Sequence, residues 1–201
     1  MRVATAKAAQ VHRTGTEALR KRELIDATIF EIGQLGSLNV TVSQIARKAG
    51  VSSALAHHYF GSKDQIFLAA MRHVLTVFAD EVHALRGAAY TPRGRVAAIV
   101  RACFSDTNFQ PQVISAWLNF YVLAQTSPEA ARLLRVYQNR LITNLTHEMR
   151  PLADTRAPDI AQGTAAMIDG LYIRHALRSS GPDGPASVDL IERYIDQALL
   201  S

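Results

Sequence analysis

The stretch from Thr41 to Lys63, TVSQIARKAGVSSALAHHYFGSK, most narrowly limits what this chain can fold into. Thr41 and Gln44, three positions apart, form a capping box: the hydroxyl accepts from a free backbone N–H, and the amide side chain reaches back to the cap residue. Val42, Ile45, Ala46 and Ala49 then recur at helical spacing on one face. Gly50 follows, where a left-handed conformation ends a helix at little steric cost. Val51 is apolar inside the turn and is placed to plug the gap between two helices. Ser52 supplies an N-cap for a second helix, whose expected buried edge is Leu55, Tyr59 and Phe60. Gly61 closes that helix, and Ser62 with Gln65 opens another at about Lys63. Two short helices across a glycine-containing turn are the layout of a helix-turn-helix DNA reader.

The other face of the second helix is short and polar: Ser52, Ser53, Ala54, His57 and His58. Small residues at a helix start let its backbone enter a major groove, and longer polar residues then reach base edges or phosphates. The same spacing also serves a compact helical hairpin with no DNA role, so charge is the next discriminator. Residues 1–64 hold nine Lys/Arg against five Asp/Glu, whereas the remainder holds thirteen against twelve. All four lysines, Lys7, Lys21, Lys48 and Lys63, lie in the first part. A basic module on a near-neutral body is the footprint of phosphate binding; without the reader beside it, the excess would describe only a solvated basic face.

The rest of the pattern predicts an all-α chain of about nine helices. Residues 1–16 read as a flexible basic arm, 17–62 as the DNA-binding domain and 63–201 as a ligand-binding and dimerisation domain. Within the DNA-binding domain, a helix from Glu17 to Leu35 with Thr16 as N-cap completes a three-helix module. A long helix covers Lys63 to Arg86, followed by a loop from Gly87 to Gly94. Further helices are expected over Arg95–Phe109, from Pro111 to about Gln125, from Pro128 to Met149, from Pro158 to before Gly181, and over Ser187–Leu200. The last two present a second apolar stripe, Ala166, Ile173 and Ala176 on one and Leu190, Tyr194, Ile195 and Leu199 on the other. Helices apolar on two sides are buried on both, either in a four-helix bundle across a two-fold axis or within the core of one protomer.

Several chemistries are unsupported. His57 and His58 are adjacent, point about 100° apart on a helix, and cannot chelate one ion together; there is no HExxH pattern and no cysteine pair. His147-Glu148 reads as solvated helix surface, and Cys103 as a small buried residue. No glycine-rich phosphate loop is present, so neither a cofactor nor a catalytic or metal site is expected. A single cysteine fits a reducing compartment, and no apolar run approaches the roughly 20 residues that span a bilayer, so the expected location is cytoplasmic.

Thr41 to Ile66 resembles the helix-turn-helix of the TetR family of repressors, on Ile45-Ala46, Ala49-Gly50-Val51-Ser52, Tyr59-Phe60 and Lys63 with an apolar residue at 66. The resemblance implies a homodimer that binds an operator and leaves it when a small molecule enters the C-terminal domain. By position it implies phosphate contacts from Thr41, Ser43, Tyr59 and Lys63, and a groove-facing set of Ser52, Ser53, Ala54 and His57. Many members carry tyrosine where this chain has His57, so position 57 meets either a phosphate or a base. His58-Tyr59-Phe60, Arg95 to Val100 leading to Phe104 and Asp106, Ala116-Trp117-Leu118, Asn144-Leu145 and Ile168-Asp169-Gly170-Leu171 resemble the choline-responsive branch, which implies control of glycine betaine synthesis.

Choline has no N–H to donate, so its recognition relies on aromatic faces and nearby negative charge. Trp117 is the only tryptophan and shares a helix face with Tyr121, with Phe120 between them. Phe109 lies just before that helix with Asp106 one turn earlier, and Tyr172 follows Asp169 by one turn on a later helix. These seven residues are the candidate cation cage. Ordinary core packing is the competing account of Trp117 and Phe120, and pairing with Arg101 or Arg174 that of Asp169. A TetR-type repressor tuned to a hydrophobic drug or acyl chain, and a helical lipid-binding protein or enzyme with an incidental helix-turn-helix, are the competing readings of function.

Overall fold

A computed structural model describes the backbone of residues 2–177 and 181–200, and side chains from residue 16 onward apart from 178–180 and 201. Among the described residues the chain is all-helical: α1 Arg2–Leu35, α2 Val42–Lys48, α3 Ser53–Phe60, α4 Lys63–Gly87, α5 Pro92–Cys103, α6 Pro111–Thr126, α7 Pro128–Ala153, α8 Ala157–Ala176 and α9 Gly184–Leu200. No described helix is long and apolar enough to cross a membrane. The chain divides into two compact units, residues 1–70 and 71–201.

In the first unit α1 packs on α2, and α2 on α3. Leu24, Thr28 and Ile32 of α1, Ile45 of α2, Ala56 of α3 and Ile66 of α4 are all fully buried. Burying a side chain the size of Ile45 stabilises by about 2 kcal/mol. The Thr41 capping box is formed, and α2 ends as its sequence predicts. Gly50 has φ +68; its N–H donates to the Arg47 carbonyl at 3.2 Å, and that of Val51 to the Ala46 carbonyl at 2.9 Å. This pair of bonds is the Schellman termination. Ser52 caps α3, its hydroxyl accepting from Leu55 N at 3.2 Å. Ala56, rather than Leu55 or Tyr59, is the deepest residue of α3; those two and Phe60 are half-buried. One helix boundary differs from expectation: α1 begins at Arg2, so Thr16 lies inside it and the segment read as an arm continues that helix. Alanine-rich sequence carries little cost in a helix.

In the second unit α7 is central, packing against α5, α6 and α8, and α9 covers α5 and α8. The loop expected before residue 95 is already helix from Pro92: Thr91 accepts from Gly94 N at 3.0 Å, and proline at the first position loses no bond. Helix α5 stops at Cys103 rather than Phe109. Glu81 of α4 accepts from Ser105 Oγ at 2.9 Å and from Asn108 Nδ2 at 2.7 Å, and Asn108 Nδ2 also reaches the Ala102 carbonyl at 2.9 Å. These side-chain bonds hold residues 104–110 in a turn that apolar spacing cannot foretell. Helix α7 continues through Pro151 to Ala153 and is stopped at Asp154, whose φ of 46 takes the backbone out of the helical region.

Candidate functional site

The exposed side of α2 and α3 gathers the residues expected to meet DNA. Thr41 and Ser43 are exposed around the start of α2; Ser52, Ala54 and His57 are exposed and Ser53 half-buried along α3. Ser53 Oγ and Ser43 Oγ lie 3.3 Å apart, tying the start of α3 to α2. His57 is not a free donor: its Nδ1 lies 3.2 Å from the Gly61 carbonyl, so the ring both presents an edge outward and closes α3. Tyr59 is half-buried with Lys21 Nζ 5.5 Å from its ring centre, and Lys63 Nζ lies 5.2 Å from that of Phe67. Lys48, which the sequence alone did not single out, stands over Phe30 at 3.6 Å. Lys21 is also paired with Glu17 at 2.6 Å, whereas Lys48 and Lys63 have no carboxylate in ion-pair distance among the described residues and rest their ammonium groups on aromatic faces beside the reader.

In the second unit the seven expected cage residues separate. Tyr121 donates its hydroxyl to Asp169 Oδ1 at 2.9 Å, joining α6 to α8. Trp117 packs 6.2 Å from Tyr121 and 4.7 Å from Tyr137 of α7. Phe109 and Tyr172 belong to an adjoining cluster with Phe104 and His175, at centroid distances of 4.8–5.8 Å. The Tyr172 hydroxyl donates to the Cys103 carbonyl at 2.5 Å. Phe120 is fully buried in the core. Asp106 is exposed on the turn after α5, its carbonyl accepting from Gln110 Nε2 at 2.6 Å; it is not brought to the aromatic group.

Tyr137 was missed by the sequence reading. Half-buried itself, it lies in line with the buried Leu134, Leu141 and Leu145 of α7, and an aromatic in such a stripe reads as core. Burial pushes its hydroxyl well above the ordinary phenol range, and does the same to Tyr121 and Tyr172, with the Asp169 charge adding to each. All three rings are therefore neutral. Burial also raises the Asp169 carboxyl, which the Tyr121 hydrogen bond only partly offsets. Neither Arg101 nor Arg174 pairs with Asp169: Arg101 lies 3.4 Å from Glu192, and Arg174 is exposed. Among the described residues no cation forms a salt bridge with this half-buried carboxylate.

Glu148, read from sequence as solvated, is 2% exposed. It accepts from Arg86 Nη2 at 2.8 Å and from Arg95 Nε at 2.6 Å, and so clamps α4, α5 and α7 together. Position 148 continues the buried α7 stripe three residues past Leu145, and that periodicity was the signal available for it.

On the solvent side of α8, Ala166 and Ala176 are exposed and Ile173 is 47% exposed; on α9, Leu190 is 42% exposed and Tyr194 and Leu199 are half-buried. Ile195, expected on that second face, is fully buried in the protomer core.

The family of bacterial regulatory proteins of the tetR type matches residues 24–70, and BetI-type transcriptional repressor, C-terminal, matches residues 92–200. The HTH-type transcriptional regulator BetI of Brucella anthropi is 52% identical over 189 residues, 94% of this chain and 97% of that protein. BetI of Rhizobium meliloti is 48% identical over 188 residues, 93% of each. Among solved structures, a transcriptional regulator from Saccharomonospora viridis in complex with choline superposes with a TM-score of 0.77 at 22% identity, covering 90% of this chain and 95% of that one. A TetR regulator from Haloarcula marismortui gives 0.79 at 19%, covering 90% and 98%. These two show a common fold. With both matched segments and relatives at about half identity over nearly the full length, the chain belongs to the TetR family and is a BetI-type transcriptional repressor.

Proposed function

We propose that the repressor holds its operator as a homodimer and releases it when choline or a related quaternary ammonium occupies the group formed by Trp117, Tyr121, Tyr137 and Asp169. Genes of glycine betaine synthesis or choline uptake would be its targets. The observation that carries this reading is Asp169: a half-buried carboxylate inside an aromatic group, with no cation partner among the described residues. A quaternary ammonium, lacking N–H donors, is recognised by this combination of π faces and fixed charge. The choline complex of the Saccharomonospora viridis regulator, which shares the fold, supports it.

The dimer would form through the exposed apolar side of α8 and α9, Ala166, Ile173, Ala176 and Leu190, as a four-helix bundle across a two-fold axis. Two copies of α3 would then enter successive major grooves about 34–36 Å apart. Thr41, Ser43, Tyr59 and Lys63 contact phosphates, while Ser52, Ser53, Ala54 and His57 face the groove. Ligand shifts the population toward a spacing that no longer fits, with α4, which continues from the reader into the second unit, changing tilt. By linkage, operator and ligand weaken each other equally.

Operator affinity measured by fluorescence anisotropy falls on titration with millimolar choline. Unchanged affinity across choline, glycine betaine and carnitine would remove the choline assignment and leave the family membership standing. The pH dependence tests the residue. Because burial raises the folded-state value of Asp169, its ionisation costs stability: the protein is favoured while the group is protonated and loses that advantage as pH rises through the folded value. A quaternary ammonium cannot titrate and needs the ionised form, so choline binding tightens as pH rises through the same range. Asp169→Asn weakens binding and flattens that dependence.

Two substitutions separate electrostatic from sequence-reading contacts. Lys63→Ala weakens binding to all DNA sequences and reduces the salt slope by about one unit. His57→Ala changes sequence preference and leaves the slope in place. Equal effects in a salt titration on operator and random duplex would contradict this division of the face.

A further inference from the structure

A cleft of about 600 Å³ opens between α4, α5 and α7, and its chemistry is opposite to that of the cation group. Three guanidinium groups, Arg72, Arg86 and Arg140, line it together with His83, against one carboxylate, Asp80. Arg72 is engaged by Glu129. Arg86 gives Nη2 to Glu148, but its Nε is buried with no acceptor. Arg140 is exposed, and among the described residues no carboxylate lies within ion-pair distance of it. A buried N–H without an acceptor is uncommon in folded proteins and asks for an explanation. The Arg86 Nε is sealed from solvent and does not itself meet the cleft; the rest of the Arg86 side chain, 30% exposed, lines it beside Arg140. The same cleft has an apolar floor, including Phe78 and Ile99. Tyr137 lines it and packs 4.7 Å from Trp117, so the cleft and the aromatic group share one wall.

We infer that this cleft is an anion subsite, taking the carboxylate or phosphate oxygens of a small effector through Arg86 and Arg140. Guanidinium donors suit such oxygens in geometry and charge. The anion comes either from the acidic end of a molecule whose ammonium lies in the aromatic group, or from a separate small oxyanion. The first source rests on the proposed choline reading; the second does not. In the first case the repressor distinguishes zwitterionic trimethylammonium compounds from choline itself, since only they engage both regions.

Calorimetric titration of the full-length protein with choline, phosphorylcholine and inorganic phosphate tests this, in the wild type and in Arg140→Gln. Arg140 is exposed and its replacement leaves the fold intact, as a thermal melt verifies. A zwitterion spanning both regions binds about tenfold more tightly than choline, the worth of one charge-assisted hydrogen bond. That excess disappears in Arg140→Gln while choline affinity stays the same. A free-anion site instead shows phosphate binding to the wild type and not to the variant, with phosphorylcholine no better than choline. If neither phosphorylcholine nor phosphate distinguishes the two proteins, the cleft is not an anion site. Absence of choline binding alone would sink the cation reading, and the phosphate arm would still decide this one.

Discussion

Ala54→Glu abolishes operator binding and leaves the protein as stable as before, or slightly more so. Ala54 is the second residue of α3 and is exposed. A carboxylate in the first turn of a helix interacts favourably with its dipole, by about 0.3–1 kcal/mol. The folded monomer therefore has no reason to suffer, and no core contact is touched. In the proposed docking the same carboxylate would stand at the part of α3 that enters the groove, where phosphates line both rims. Juxtaposed like charges at an interface cost several kcal/mol, so affinity falls by about 100-fold or more at moderate salt. Anisotropy with labelled operator, alongside a thermal melt, gives both readouts on one sample. Ala54→Lys completes the test: it raises affinity for random duplex and steepens the salt dependence by about one unit. Operator binding by Ala54→Glu within a few-fold of wild type would mean that α3 does not present this face to DNA.

How much was legible in the sequence depends on how far apart the interacting groups are. The capping box at Thr41 and the helix stop at Gly50 are written in contiguous residues, and the structure forms both as read. Ser127-Pro128-Glu129 opens α7 for the same reason: its hydroxyl, its fixed φ and its first-turn carboxylate act within one turn. The end of α5 was not legible, because Glu81, one helix away, imposes it through Ser105 and Asn108. The candidate cation group was half legible. Trp117 and Tyr121 share a helix face, so their spacing brings them together; their joining to Asp169 and Tyr137 depends on how α6, α7 and α8 pack, which spacing does not encode. Asp106 and Phe109 show the converse. They are near Trp117 in sequence, yet the turn at 104–110 leaves Asp106 exposed and places Phe109 with Phe104 and His175. Sequence proximity over-counted the group, and long-range packing supplied the member it lacked.

Glu148→Ala produces the largest stability loss expected of any single polar substitution in the second unit. The carboxylate is 3% exposed and is shared by two arginines on different helices. Its removal does not simply delete two hydrogen bonds. It leaves the Arg86 and Arg95 guanidiniums facing each other with the charge between them gone, in a region where Arg86 Nε already lacks an acceptor. Breaking a fully buried ion pair from one side costs about 3–5 kcal/mol. Both arginines retain 30% exposure, so water recovers part of that, and the expected loss is about 2–3 kcal/mol. For a chain of this size that corresponds to a fall in Tm of about 5–10 °C. Glu148→Gln keeps the volume and one acceptor and loses less, so the difference between the two variants measures the charge. Adding Arg86→Met to Glu148→Ala relieves one stranded cation and recovers part of the loss. That recovery separates electrostatic isolation of the arginines from a mere packing defect, because a cavity at position 148 would leave the double variant no more stable than the single one.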